Sequence, residues 1–174
     1  MVATGSNPVI LNFPGEQKPV AAEEILMDKV QAGENVVVVG GGLVGCETGL
    51  MLAQKGKHVT ILEMMPAILG GHGVVPPMNQ FMLEDLLTYN KVQIHTSTVI
   101  DNTFADHVTV KSGDKVWDVP CDTLITCVGY RANNALYNEL AKESMVPLYN
   151  IGDSNKVRNI MAAIWDAYEL GRNL

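Results

Sequence analysis

Four consecutive valines, Val36, Val37, Val38 and Val39, lead directly into three glycines, Gly40, Gly41 and Gly42. A short, wholly apolar, β-branched run is what a parallel strand buried on both faces looks like, so residues 35–39 are predicted as a strand. Residues 43–54 read as a helix stopped at Lys55-Gly56-Lys57, and residues 58–62 as a second apolar strand. These lengths match one right-handed βαβ unit. Upstream, Ser6-Asn7-Pro8 and Phe13-Pro14-Gly15 are turn signals, and residues 21–30 suggest a short helix ended by Gln31-Ala32-Gly33.

Downstream, residues 64–75 form a glycine-containing loop, and Pro76-Pro77 can open a helix at its first turn. Met78, Phe81, Met82 and Leu86 then recur at helical spacing as far as Asn90, which predicts that they face the core. Residues 92–95 read as a third strand. The period then switches to two, and residues 107–111 and 115–119 flank a polar Ser112-Gly113-Asp114 turn as a hairpin. Residues 123–128 are another buried-type strand closed by Gly129. A strand over 148–151, the pair Gly152-Asp153 and a helix from about 159 to 171 complete the chain. The pattern predicts an α/β fold with a Rossmann-like parallel sheet.

Gly40-Gly41-Gly42-Leu43-Val44-Gly45 fits G-x-G-x-x-G between a strand and a helix, and Glu63 ends the next strand about twenty residues on. Gly40 permits the tight turn, Gly42 lets the backbone approach a pyrophosphate, and Gly45 lets the helix pack against the strand. Free N–H groups and the helix dipole would hold the phosphates. Glu63 would accept hydrogen bonds from the adenosine ribose and repel a 2′-phosphate, and Met64 and Met65 supply no cation, so NAD(H) is favoured over NADP(H). Glu47, two residues beyond Gly45, reads either as a helix carboxylate or as a residue near the nicotinamide.

Composition narrows the classes. The chain of 174 residues is 47% hydrophobic and 18% charged, which is globular. A net charge of −7 argues against nucleic acid and anionic membranes as partners. The longest apolar run is far short of a membrane span, and the first residues carry no export signal, so a cytoplasmic setting is expected. Cys46, Cys121 and Cys127 lack metal-ligand spacing and any C-x-x-C, and read as small buried side chains in a reduced compartment. His58 and His95 flank strands as edge residues, and His72 lies in the loop between Gly71 and Gly73. No Ser/His/Asp or Cys/His arrangement is legible, so no catalytic side chain and no metal ligand is assigned.

With these residues placed, the chain resembles the pyridine-nucleotide-dependent flavoprotein oxidoreductases, in particular the C-terminal part of the enoate reductase and 2,4-dienoyl-CoA reductase group. Four segments carry the likeness: Val2-Ala3-Thr4-Gly5-Ser6-Asn7-Pro8, residues 36–47, Cys127-Val128-Gly129-Tyr130-Arg131, and Tyr149-Asn150-Ile151-Gly152-Asp153 with the residues after Arg158. The resemblance implies a β-meander crossover in the parallel sheet and an NAD-binding domain, residues 21–129, inserted between pieces of an FAD domain, residues 1–20 and 130–174. It implies that Asp153 hydrogen-bonds the flavin ribityl chain and that Glu47 and Gly129 lie near the nicotinamide. NAD(H) and, in the full enzyme, FAD are the implied cofactors, with hydride passing from NADH to FAD for reduction of an enoate or similar acceptor.

The family's first glycine-rich fingerprint should precede Thr4, and the redox cysteine pair of its disulfide-reductase branch is absent from these residues. The chain is therefore expected to be an inactive piece of an enzyme whose FAD and barrel domains lie elsewhere. Its FAD-side pieces should fold back over exposed apolar surface or pair with a second copy as a homo-oligomer. Two other readings remain open on the residues: a stand-alone NAD-binding regulatory module without catalysis, and a methyltransferase, in which the Gly152-Asp153 segment would have no role.

Overall fold

The computed structural model describes residues 1–70 and 75–174; His72 lies outside them. Along the chain run β1 (Ser6–Pro8), β2 (Val20–Ala21), α1 (Ala22–Leu26), β3 (Asn35–Val39), α2 (Leu43–Gln54), β4 (His58–Leu62), α3 (Pro77–Tyr89) and β5 (Gln93–His95). Then come β6 (Val99–Thr103), β7 (His107–Ser112), β8 (Lys115–Pro120), β9 (Thr123–Thr126), β10 (Tyr130–Ala132), α4 (Ala135–Glu143), a 3-10 turn (Gly152–Ser154) and α5 (Ile160–Asn173). They gather into two compact units, Val9–Val128 and the pair of segments Met1–Pro8 and Gly129–Leu174.

The larger unit is built on a parallel five-stranded sheet of order β2-β9-β3-β4-β5. β6, β7 and β8 form a separate antiparallel meander, entered between β5 and β9. Strand alternation assigns the valines of β3 to opposite layers. Val36 and Val38 pack with Ile25, Cys46, Leu52, Ile61 and Leu87 on the helical side. Val37 packs with Leu62, Leu124, Val108 and Val110 under the meander. β3 is covered on both faces, which is why it reads as an uninterrupted run of valines.

Sequence and structure part at α3. Leu83 and Leu87, four residues apart, turn inward and are buried. Met78 is 76% exposed, and Phe81 and Met82 are each 59% exposed, so the methionine face points to solvent and not to the core. The helix has two apolar stripes, and the aliphatic leucines occupy the space against α2 and the sheet.

In the smaller unit β1 and β10 pair antiparallel, and Val2 bridges Asn150 in parallel. Residues 148–151, expected as a strand, contribute that bridge. β1, β10 and α4 are elements the periodicity did not announce: each strand has three residues, one ends in a proline, and α4 has no buried residue. Among the described residues no helix is long and apolar enough to cross a membrane.

Candidate functional site

β3 runs into Gly40, whose φ of +107° belongs to the region that favours glycine. A Cβ on Gly40 would collide with the Cys127 carbonyl oxygen, at the end of the neighbouring strand β9. Gly42 is the N-cap of α2, and no side chain caps that helix. The amides of its first turn therefore lack an intrahelical partner, at the positive end of the dipole. A Cβ on Gly42 would meet nothing within 4 Å, so this point of the turn is open to a ligand. Gly45 behaves oppositely: a Cβ there would collide with the Gly40 carbonyl oxygen. The three glycines thus differ in kind: Gly40 takes a positive φ, Gly42 faces open space and Gly45 has no room for a side chain. Gly41 is buried, Leu43 is exposed and Val44 half-buried at the head of α2.

Glu63 follows β4, half-buried, at the same end of the sheet as this turn. Its Oε2 accepts a hydrogen bond from the Gly41 N–H at 2.6 Å, and its Oε1 accepts from the Met65 N–H at 2.7 Å. The structure therefore brings Gly40, Gly41, Gly42, Gly45 and Glu63 together. Met64 beside them is 70% exposed. Glu47 is exposed one turn along α2.

Leu69 also belongs here and carries no sequence signal. Its N–H donates to the Gly41 carbonyl at 2.8 Å, its φ is +58°, and its side chain is 6% exposed within the core. The contact depends on how residues 64–70 fold back, which no periodicity encodes.

In the smaller unit Gly129 is exposed, with φ of +97° and open space where a Cβ would stand. Asp153 lies in the 3-10 turn, and its carboxylate accepts from the Ser6 Oγ at 3.3 Å and the Arg158 N–H at 3.1 Å. Asp166 of α5 accepts from the Gly152 N–H at 3.1 Å and pairs with the Arg158 guanidinium. That guanidinium holds the Asp166 carboxyl below the usual carboxylate range. Arg158 and Asp166 as supports of the Gly152-Asp153 turn were not legible, because they meet it only through tertiary structure.

The cysteines offer no thiolate. Burial pushes the Cys46 and Cys127 thiols up to about 12 and the Cys121 thiol up to about 11. Cys46 and Cys121 are buried and Cys127 is half-buried. His58 is exposed, and His95 packs edge-on against Trp117 with ring centroids 5.5 Å apart. Among the described residues no group of His, Cys, Asp and Glu is placed to hold a metal ion.

Known proteins resemble this chain in sequence and in fold. Cinnamate reductase of Clostridium sporogenes is 39% identical over 175 residues, which cover 100% of this chain and 26% of the relative. A metal reductase of Desulforamulus reducens is 32% identical, over 97% of this chain and 29% of its own. Among solved structures, a 2-naphthoyl-CoA reductase complex superposes with a TM-score of 0.87 at 26% identity, over 99% of this chain and 26% of that one. The chain thus spans about a quarter of the length of these relatives. The cofactors that go with such proteins are NAD(H) and FAD. Residues 1–160 match the family model for pyridine nucleotide-disulphide oxidoreductases, and on that match the chain belongs to this family.

Proposed function

We propose that residues 21–129, which hold most of the compact unit Val9–Val128, are the NAD(H)-binding portion of a flavin-dependent oxidoreductase whose remaining domains lie outside this chain. The observation that carries the reading is the uncapped start of α2, with open space at Gly42 and Glu63 beside it. Amides of residues 42–45 would hold the pyrophosphate, and the Glu63 carboxylate would accept from the adenosine ribose hydroxyls. The three arginines of the chain, Arg131, Arg158 and Arg172, all fall in the smaller unit, so none from the larger one can receive a 2′-phosphate. That favours NAD(H) over NADP(H).

Bound there, NADH would supply hydride chemistry toward a flavin, while the chain's own residues hold and orient it. Glu47 and Gly129 are assigned to the nicotinamide, and Asp153 to the flavin ribityl chain. Residues 1–20 and 130–174 are read as FAD-domain pieces and residues 21–129 as the NAD-binding domain. The likeness to cinnamate reductase and 2-naphthoyl-CoA reductase supports a conjugated carboxylic acid or thioester, an enoate in the broad sense, as acceptor for the whole enzyme. Calorimetric titration of the chain with NADH and NADPH tests the core of the reading. NADH is expected to bind more tightly, and equal or tighter NADPH binding rejects the assignment of Glu63.

A further inference from the structure

We propose that Glu63 and Leu69 are positioning residues for the pyrophosphate, clamping the Gly41 backbone from both ends so that the carboxylate facing the ribose also sets the phosphate site. This rests on the dinucleotide reading above and deepens it.

Three backbone contacts define the clamp. The Gly40 N–H donates to the Leu62 carbonyl at 2.8 Å, which ties the turn to the end of β4. The Gly41 N–H donates to Glu63 Oε2 at 2.6 Å, and the Gly41 carbonyl accepts from the Leu69 N–H at 2.8 Å. A trans peptide is planar, so its C=O and the following N–H point in opposite directions. Holding the Gly41 carbonyl toward Leu69 therefore aims the Gly42 N–H away from it. Gly42 is the point where the turn is open to a ligand.

The clamp is itself held. Glu63 Oε1 accepts from the Met65 N–H at 2.7 Å, which curls residues 64–70 back over the turn. The Ile68 Cγ2 lies 2.7 Å from where a Cβ on Gly41 would stand, so the strap is seated directly on that glycine. Leu69 adopts a left-handed φ of +58° that a leucine rarely takes, and its side chain is buried in the helical-side core. Core burial holds the strained residue where its amide meets Gly41.

Two ligands separate positioning from ribose recognition. Adenosine has the ribose hydroxyls and no phosphate, whereas ADP has both. Glu63→Gln places an amide donor opposite either the Gly41 or the Met65 N–H. It is expected to weaken ADP at least tenfold more than adenosine, measured by NMR or calorimetric titration of the whole chain. Leu69→Gly keeps the amide and accepts the positive φ but removes the anchor. It should weaken ADP severalfold and leave adenosine within twofold, which decides the matter if Glu63→Gln does not fold. Equal loss of adenosine and ADP in the folded variants overturns the clamp and leaves Glu63 as a ribose contact alone. A parent chain that binds neither ADP nor NADH overturns the dinucleotide reading beneath it.

Discussion

Gly42 and Gly45 stand three residues apart and answer to different demands. At Gly42 the φ is −73° and space is open, so Gly42→Val should leave the melting temperature within about 4 °C, the equivalent of ~1 kcal/mol in a domain of this size. NADH binding should be lost, because the branched side chain stands where phosphate must approach; a Gly42→Val chain that binds NADH like the parent shows that this turn is not the phosphate site. At Gly45 the Gly40 carbonyl oxygen blocks any side chain, and Gly45→Ala should cost about 3 kcal/mol or more in urea unfolding. Glu63→Arg tests a coupled effect. The ratio of affinities should move toward NADPH, since the repelling carboxylate is replaced by a cation. Neither coenzyme should bind the variant as tightly as NADH binds the parent, because the Gly41 N–H has lost its acceptor. A Glu63→Arg chain with NADPH affinity matching that parental value would show that the clamp is dispensable. That Gly40, Gly42, Gly45 and Glu63 gather at one end of the sheet was legible in the sequence, because their placement follows from spacing along one strand–turn–helix–strand unit. Leu69 was not, since its contact to Gly41 is made by a loop crossing the turn.

Among the elements, α3 shows what pattern can and cannot decide. Its sequence offers the core two apolar stripes, and periodicity alone favoured the one with more methionine. Leu87 is fully buried while Met82 is 59% exposed. Leu87→Ala should therefore destabilise by about 2–5 kcal/mol, and Met82→Ala should stay within about 0.5 kcal/mol. Chemical denaturation of both variants checks this, and the reverse ranking would return the methionines to the core. The strands β3 and β4 were legible to the residue because burial on both faces leaves runs that are mostly apolar and β-branched. β1 and β10 were hidden, as three-residue strands paired across the length of the chain leave no periodic trace. The joint between β8 and β9 carries a pH dependence. Asp122 accepts from the Asn35 N–H at 2.7 Å and from its side-chain Nδ2 at 3.0 Å, and the backbone bond holds the carboxyl below its ordinary value. A folded pKa below the unfolded one stabilises above the ordinary carboxylate pKa of about 3.9 and loses that contribution as pH falls through the depressed value. Asp122→Asn should flatten the acid limb of the stability profile and leave its slope near neutrality unchanged.

The sequence holds one G-x-G-x-x-G motif, and the proposed occupant of its turn is NAD(H). The hydrogen bond proposed between flavin and Asp153 would be worth about 0.5–1.5 kcal/mol net, far short of a phosphate site. The purified 174-residue chain is therefore expected to be colourless and to oxidise no NADH with added electron acceptors; a yellow preparation with one flavin per chain would end the reading of residues 1–20 and 130–174 as incomplete FAD-domain pieces. The order of the sheet has a further consequence, for how the chain comes to be folded. β9 is inserted between β2 and β3, and Val20 pairs with Ile125, roughly a hundred residues apart, a separation of the kind that slows folding. As the polypeptide leaves the ribosome, β3, β4 and β5 can zip together early, but one side of β3 keeps its hydrogen-bonding edge bare until Thr123–Thr126 is made. The meander emerges in that interval and can form as local hairpins. Vectorial synthesis thus leaves a valine-rich edge waiting for its neighbour, and nascent chains stalled ahead of β9 are the ones most exposed to edge-to-edge aggregation.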